Sequence, residues 1–186
     1  MLLFVGLGNP TPNSLNNRHN VGFKIIDAIN QKFSLSKQKP KFKGLLTTGN
    51  INEKKVYAIK PLTFMNNSGI CIRELIEYFK IEAGNVIVFH DDLDVDFGKV
   101  KTKFGGTSAG HNGIESIDKF IGKDYSRVRI GIGKPKEKST VSDHVLNNFD
   151  EEEMQELEKI TKNITEYISI LIDKKLDLFS STVNNK

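Results

Sequence analysis

Four histidines punctuate the chain, and two of them stand where proton transfer is plausible chemistry. His19 comes between Arg18 and Asn20-Val21-Gly22-Phe23, where helical apolar spacing begins, a short way after the turn Gly6-Leu7-Gly8-Asn9-Pro10. A side chain there can project from the carboxyl end of a strand into a crevice, the usual position for chemistry in an open α/β sheet. The second setting is Phe89-His90-Asp91-Asp92-Leu93-Asp94, an apolar run that ends in three carboxylates. Alternation along a strand puts His90 and Asp92 on one side and Asp91 on the other. Asp91 is then the better candidate to orient His19, favour its useful tautomer and stabilise its protonated form. Asp92 and Asp94 suit turn hydrogen bonds as well as they suit a site.

Amide side chains form a third group: Asn9, the stretch Thr63-Phe64-Met65-Asn66-Asn67-Ser68-Gly69, and Gly110-His111-Asn112-Gly113. Asparagine offers donors and acceptors without charge. Converging on one pocket, these groups could bind peptide amides or steady a developing oxyanion, where one donor is worth about 3 kcal/mol in a transition state. Each also has a structural use: Asn9 in an Asx-turn before Pro10, Asn66 or Asn67 capping the next helix, and Asn112 opening the helix of Ile114, Ile117 and Ile121. Lys99, Lys101 and Lys103 recur every second residue, as do Arg127 and Arg129, so extended segments would present each set on one side as a phosphate clamp.

Several familiar sites are excluded. The dinucleotide fingerprint fails at Thr11, where a third glycine is needed, and Pro10 removes a backbone N–H from the turn. At Gly131-Ile132-Gly133-Lys134-Pro135 a phosphate loop fails twice, with Val128 for a glycine and Pro135 for Ser or Thr. No zinc or calcium spacing accompanies the carboxylates.

These residues need a scaffold. Residues 1–5 and 86–89 are continuous apolar runs, read as central parallel strands buried on both faces. Ile25, Ile26, Ile29 and Phe33, then Ile72, Leu75, Ile76 and Phe79, mark two helical faces that lie on the sheet. Residues 45–51 and 55–59 flank Asn52-Glu53-Lys54 as a hairpin, and 127–130 alternates as a half-exposed strand does. After the acidic residues 150–153, Met154, Leu157, Ile160, Ile164, Ile168 and Leu171 space one long final helix. The expected fold class is α/β: a single three-layer domain over 1–179, with a mixed, mostly parallel twisted sheet flanked by helices, then a frayed tail over 180–186. Residues 105–110, rich in glycine and small side chains, are expected to form a mobile rim.

The 186 residues suffice for one domain that removes roughly 70% of its unfolded surface from water. Cys71, the single cysteine, reads as a core thiol and excludes a disulfide framework. No stretch reaches the ~18 apolar residues of a membrane span, and the apolar start lacks a basic flank, so a cytoplasmic protein without membrane contact is expected. The net charge of +4 permits a phosphate-rich partner.

Taken in order, residues 5–10, Arg18-His19-Asn20-Val21-Gly22-Phe23, Lys60-Pro61-Leu62-Thr63-Phe64-Met65-Asn66, His90-Asp91-Asp92-Leu93-Asp94 and Gly110-His111-Asn112-Gly113 resemble the bacterial peptidyl-tRNA hydrolases. The resemblance spans nearly the whole chain, more loosely from Gly133 through residues 141–146 into the final helix. It implies a monomeric, cofactor-free esterase that cuts the bond between a peptide's C-terminal carbonyl and the ribose of tRNA's terminal adenosine, recycling tRNA from peptidyl-tRNA lost by ribosomes. His19 would be the general base that activates water, oriented by Asp91. Asn9 would favour N-blocked aminoacyl groups; Phe64, Asn66 and Asn112 would contact the peptide and terminal adenosine. Lys103 and Arg129 would grip the tRNA 5′-phosphate, and no metal is implied. Thr11, Ser14 and Asn17 depart from the family's usual glycine, tyrosine and threonine, so the substrate contact at Ser14 lacks its ring. Two other classes are weighed against this one: a metal-dependent phosphohydrolase built on Asp91, Asp92 and Asp94, and a non-catalytic tRNA-binding module.

Overall fold

A continuous apolar run needs cover on both faces, and the first strand obtains it at the centre of a seven-stranded sheet. The computed structural model describes residues 1–135 and 140–186. Its strands are β1 (Leu2–Gly6), β2 (Lys39–Lys41), β3 (Gly44–Ile51), β4 (Lys54–Pro61), β5 (Val86–Asp92), β6 (Val100–Phe104) and β7 (Ser126–Gly131), ordered β2-β3-β4-β1-β5-β7-β6. The sheet is mixed. Parallel pairing joins β4, β1, β5 and β7, and antiparallel pairing adds β3 and β2 at one side and β6 at the other.

Along β1 the side chains alternate between two cores: Leu2 and Phe4 enter one, Leu3 and Val5 the other. The helices are α1 (Val21–Lys32), α2 (Ser68–Phe79), α3 (Asn112–Ile121), α4 (Val141–Leu146), α5 (Glu151–Glu166), α6 (Ile168–Ile172) and α7 (Leu176–Asn184). Apolar residues of α1, α5, α6 and α7 fill the Phe4 core, and those of α2 and α3 fill the Leu3 core, giving the three layers. Cys71, on the buried face of α2, is fully covered, and that burial pushes its thiol up to about 12. The expected hairpin is β3–β4, turned at Asn52 and Glu53, both with positive φ as a two-residue turn requires.

Three expectations change. The single final helix is three, because the chain breaks at Tyr167 and again at Lys174, which takes a left-handed φ of 60°. The second break folds α7 back onto β6, so the tail expected to fray over 180–186 is helical to Asn184. Val183 is buried there, and the Asn184 amide exchanges hydrogen bonds with the Val100 backbone at 2.8 and 2.7 Å. Finally, β7 is not half-exposed: it lies between β5 and β6, and Arg127 is only 2% exposed. Among the described residues no helix is long and apolar enough to cross a membrane.

Candidate active site

Backbone packs on backbone where the site begins. A Cβ at Gly6 would lie 2.2 Å from the Gly22 carbonyl oxygen, and one at Gly22 would lie 2.3 Å from Leu7 N and 2.4 Å from the Phe89 oxygen. Only glycine at both positions lets the start of α1 rest on the carboxyl ends of β1 and β5. His19, just ahead of α1, is thereby brought to Asp91, near the end of β5. The Asn20 amide completes the latch: its Oδ1 accepts from Asn9 N and its Nδ2 donates to Asn9 O, each at 2.9 Å.

His19 is 8% exposed and its Nδ1 lies 2.9 Å from both Asp91 oxygens. A carboxylate only accepts, so Nδ1 carries the proton and Nε2 keeps a lone pair. Asp91 is 2% exposed, and it also accepts from His111 Nε2 at 2.9 Å. Burial alone would raise the Asp91 carboxyl, but attraction and hydrogen bonds from His111 and His19 outweigh it and hold the group well below the usual carboxylate range. The sequence alone assigns His111 no role of its own. It caps α3, its Nδ1 accepting from Gly113 N at 3.1 Å and Ile114 N at 3.3 Å. The only signal for it was a polar residue immediately before an apolar helical pattern.

A cleft of about 660 Å³ opens over this pair, and Asn9, Ser14, His19, Phe64, Asn66, Asp91 and Asn112 all line it. The amides are not absorbed by the structural uses available to them. Asn9 Oδ1 accepts from Met65 N at 2.9 Å, which assigns its flip and leaves the NH2 as a donor. Asn67 stands at the N-cap of α2 but makes no side-chain cap hydrogen bond, Asn66 lies before it, and the cap of α3 is His111, so Asn112 is the first helical residue with its amide uncommitted to capping. Phe64 is 52% exposed and takes φ 61°, ψ 161°, a region that is essentially glycine's. Such strain at the lip of a cleft holds the ring against solvent rather than in a core. Ser14 lines the cleft but is 7% exposed, its hydroxyl 2.5 Å from that of Thr11, so two departures from the family pattern satisfy each other.

Lys103 and Arg129 do not reach this cleft. They line a second cavity of about 230 Å³, separated from the first by a wall that includes Ser108 and Ala109. The register sets Lys103 opposite Arg127 and Lys101 opposite Arg129. Arg127, although part of the basic stripe, is spent internally: it donates to the Thr107 and Gly106 carbonyls at 2.8 and 3.2 Å and to Asp118 Oδ1 at 2.9 Å. The rim over 105–110 is therefore fastened from beneath.

The three carboxylates of the rival metal site do not converge. Asp91 faces the histidines, Asp92 accepts from Arg129 Nε at 2.8 Å, and Asp94 is 3.7 Å from the Lys134 ammonium. Among the described residues the group that could surround an ion is His19, Asp91 and His111, whose ligand atoms lie within 4.8 Å of one another. His111 is unsuited to that task. Its Nδ1 lone pair is occupied by two backbone N–H groups, so its proton sits on Nε2, the atom a metal would need bare.

Arg18 fixes the far wall. Its guanidinium holds both Glu153 oxygens, at 2.8 and 3.1 Å, and reaches the His144 and Asn147 carbonyls at 3.3 Å. This ties α4 and the capping box that starts α5 to the residue beside His19. Nothing in the sequence paired Arg18 with a partner 135 residues away.

Comparisons with known proteins name one family. The family described as "Peptidyl-tRNA hydrolase" matches over residues 3–186. Proteins of that name from Pelagibacter ubique (strain HTCC1062) and Bartonella henselae (strain ATCC 49882 / DSM 28221 / CCUG 30454 / Houston 1) are similar. The first is 83% identical over 186 residues, covering 100% of both chains, and the second 45% identical over 184 residues, covering 99% and 95%. The crystal structure of peptidyl-tRNA hydrolase from Acinetobacter baumannii superposes with a TM-score of 0.92 at 32% identity, covering 99% of this chain and 94% of that one. With the family matched along almost its entire length and the same fold carrying it, the chain belongs to the peptidyl-tRNA hydrolases.

Proposed function

We propose that the protein hydrolyses the ester between the C-terminal carbonyl of a peptide and the ribose of tRNA's terminal adenosine, with His19 as general base. The observation that carries the mechanism is the His19 Nδ1–Asp91 contact at 2.9 Å on the wall of the cleft, which leaves Nε2 as the free base. His19 Nε2 takes a proton from water as the water oxygen bonds to the carbonyl carbon. The carbonyl electrons move onto oxygen, and Asp91 steadies the imidazolium through Nδ1–H. Collapse re-forms the carbonyl and expels the ribose oxygen, which takes the proton from His19. Donors from the cleft amides steady the oxyanion, Asn66 foremost.

Asn9, through its free NH2, donates to the carbonyl oxygen of the acyl group on the nitrogen of an N-blocked substrate, while Asn112 and Phe64 meet the peptide and terminal adenosine. Ser14 lines the edge without an aromatic contact. Lys103 and the open side of Arg129 take the tRNA 5′-phosphate in the second cavity, so affinity falls with salt. The working unit is a cytoplasmic monomer with one catalytic domain, and no cofactor takes part.

Incubation with N-acetyl-aminoacyl-tRNA and free aminoacyl-tRNA in EDTA tests the reading. Selective release of tRNA from the blocked substrate, undiminished by chelation, is expected. Cleavage only with added metal would favour the phosphohydrolase class, and binding without cleavage the tRNA-binding module.

A further inference from the structure

We infer that His111 is a positioning residue that couples the first turn of α3 to the catalytic pair, donating to Asp91 and so setting the proton affinity of His19. The inference rests on the reading of His19 as the base. Two independent contacts fix the imidazole. On one side Nδ1 accepts from Gly113 N and Ile114 N, at 3.1 and 3.3 Å, which requires it to be unprotonated. On the other, Nε2 must then carry the proton, and it lies 2.9 Å from Asp91 Oδ1. A second proton on Nδ1 would break both backbone bonds and place a cation at a helix N-terminus, where the dipole disfavours it. His111 therefore acts as a neutral donor held in one tautomer by secondary structure.

Its effect follows from the carboxylate it shares. Asp91 faces two imidazole N–H groups, and each draws on the same negative charge. The His111 donor keeps the carboxylate plane fixed and takes part of the charge that would otherwise stabilise the His19 imidazolium. The ionisable groups around His111 are few. His19 approaches from the turn before α1, its ring centroid 5.0 Å away, and His90 on β5 packs edge-on at 5.0 Å. Asp91 is the acceptor, and Asp92 is turned onto Arg129. His90 donates through Nδ1 to the Asp91 carbonyl at 2.7 Å and burial keeps it neutral, so it supplies no competing charge.

Two substitutions separate the two jobs of the ring. His111→Asn keeps an oxygen near the Nδ1 position and caps α3 but has no donor that reaches Asp91. His111→Gln places an amide N–H near the Nε2 position and loses the cap. The measurements are the pH midpoint of kcat/KM on N-acetyl-aminoacyl-tRNA, the NMR titration of the His19 ring, and Tm. For His111→Asn the expected result is a Tm close to the parent, a lower kcat plateau, and an alkaline shift of a few tenths of a pH unit in both midpoints. For His111→Gln the expected result is a lower Tm with both midpoints retained. An unshifted His19 titration in His111→Asn, or equal shifts in both variants, would overturn the inference. A kinetic midpoint that fails to track His19 in the parent would instead remove the general-base reading, and the NMR shift would still report on His111.

Discussion

Asp91 is the hinge of the site, and its substitution has a directional consequence. In Asp91→Asn the side-chain oxygen is retained by the His111 Nε2–H, which turns the new NH2 toward His19 Nδ1. When Nδ1 accepts from that NH2 the His19 proton sits on Nε2, and the tautomer with a basic Nε2 keeps only the neutral oxygen it shares with His111, so the base is weakened. We expect kcat to fall by about 10²-fold or more with KM little changed, measured on N-acetyl-aminoacyl-tRNA. The pairing of His19 with Asp91 was legible because His19 stood just before a helical apolar pattern and soon after a Gly-rich turn, while Asp91 closed an apolar run and alternation separated it from its neighbours. His111 was not, because a residue in a Gly-His-Asn-Gly turn gives no sign that its two ring nitrogens will serve different partners. The Ser14 departure was visible as a missing ring, whereas its hydroxyl contact with Thr11 depends on a turn whose geometry only the fold supplies.

Among the elements, the wall between the two cavities depends on Arg127. This side chain pairs with Asp118 of α3 while holding two carbonyls of the rim, and the Tyr125 hydroxyl donates to the same Asp118 oxygen at 2.8 Å. Arg127→Met leaves the largely covered Asp118 carboxylate without its cation, a loss of about 3 kcal/mol in stability. Denaturant unfolding should show that loss, and hydrogen exchange should show residues 105–111 opening before the central strands. A rim already exchanging freely in the parent would contradict the fastening role. Here sequence reading reached the right strand but the wrong exposure: the alternation of Arg127, Val128, Arg129 and Ile130 looks half-solvated until α3 and the rim cover the arginine. The long-helix expectation failed for a related reason. Apolar spacing continues across Tyr167 and gives no warning of a break, and the left-handed Lys174 is not a glycine or asparagine that would announce a turn. β1, β5 and the β3–β4 hairpin were legible because burial on both faces and a two-residue turn leave strong local patterns.

For the molecule as a whole, acid is the informative perturbant. Burial pushes His90 down to about 3 from an ordinary value of 6.5. A lowered folded value means that the unfolded chain binds the proton first, so stability is fully present above about 6.5 and declines as pH falls toward 3. The slope for one proton reaches about 1.4 kcal/mol per pH unit. Asp91, also lowered, adds a further loss once pH drops below the unfolded carboxylate value of 3.8. Urea unfolding between pH 7 and 5 should show the first slope, and His90→Gln should flatten it; an equal slope in both proteins would assign the proton elsewhere.

The central claim is that His19 does chemistry and does not merely hold tRNA. Single-turnover cleavage of N-acetyl-aminoacyl-tRNA by excess His19→Ala protein, with Kd measured on the same sample, tests it most directly. The account predicts a Kd within a few-fold of the parent and a cleavage rate lower by about 10²- to 10⁴-fold. A rate close to the parent's at saturation, or a loss explained wholly by weaker binding, would contradict it.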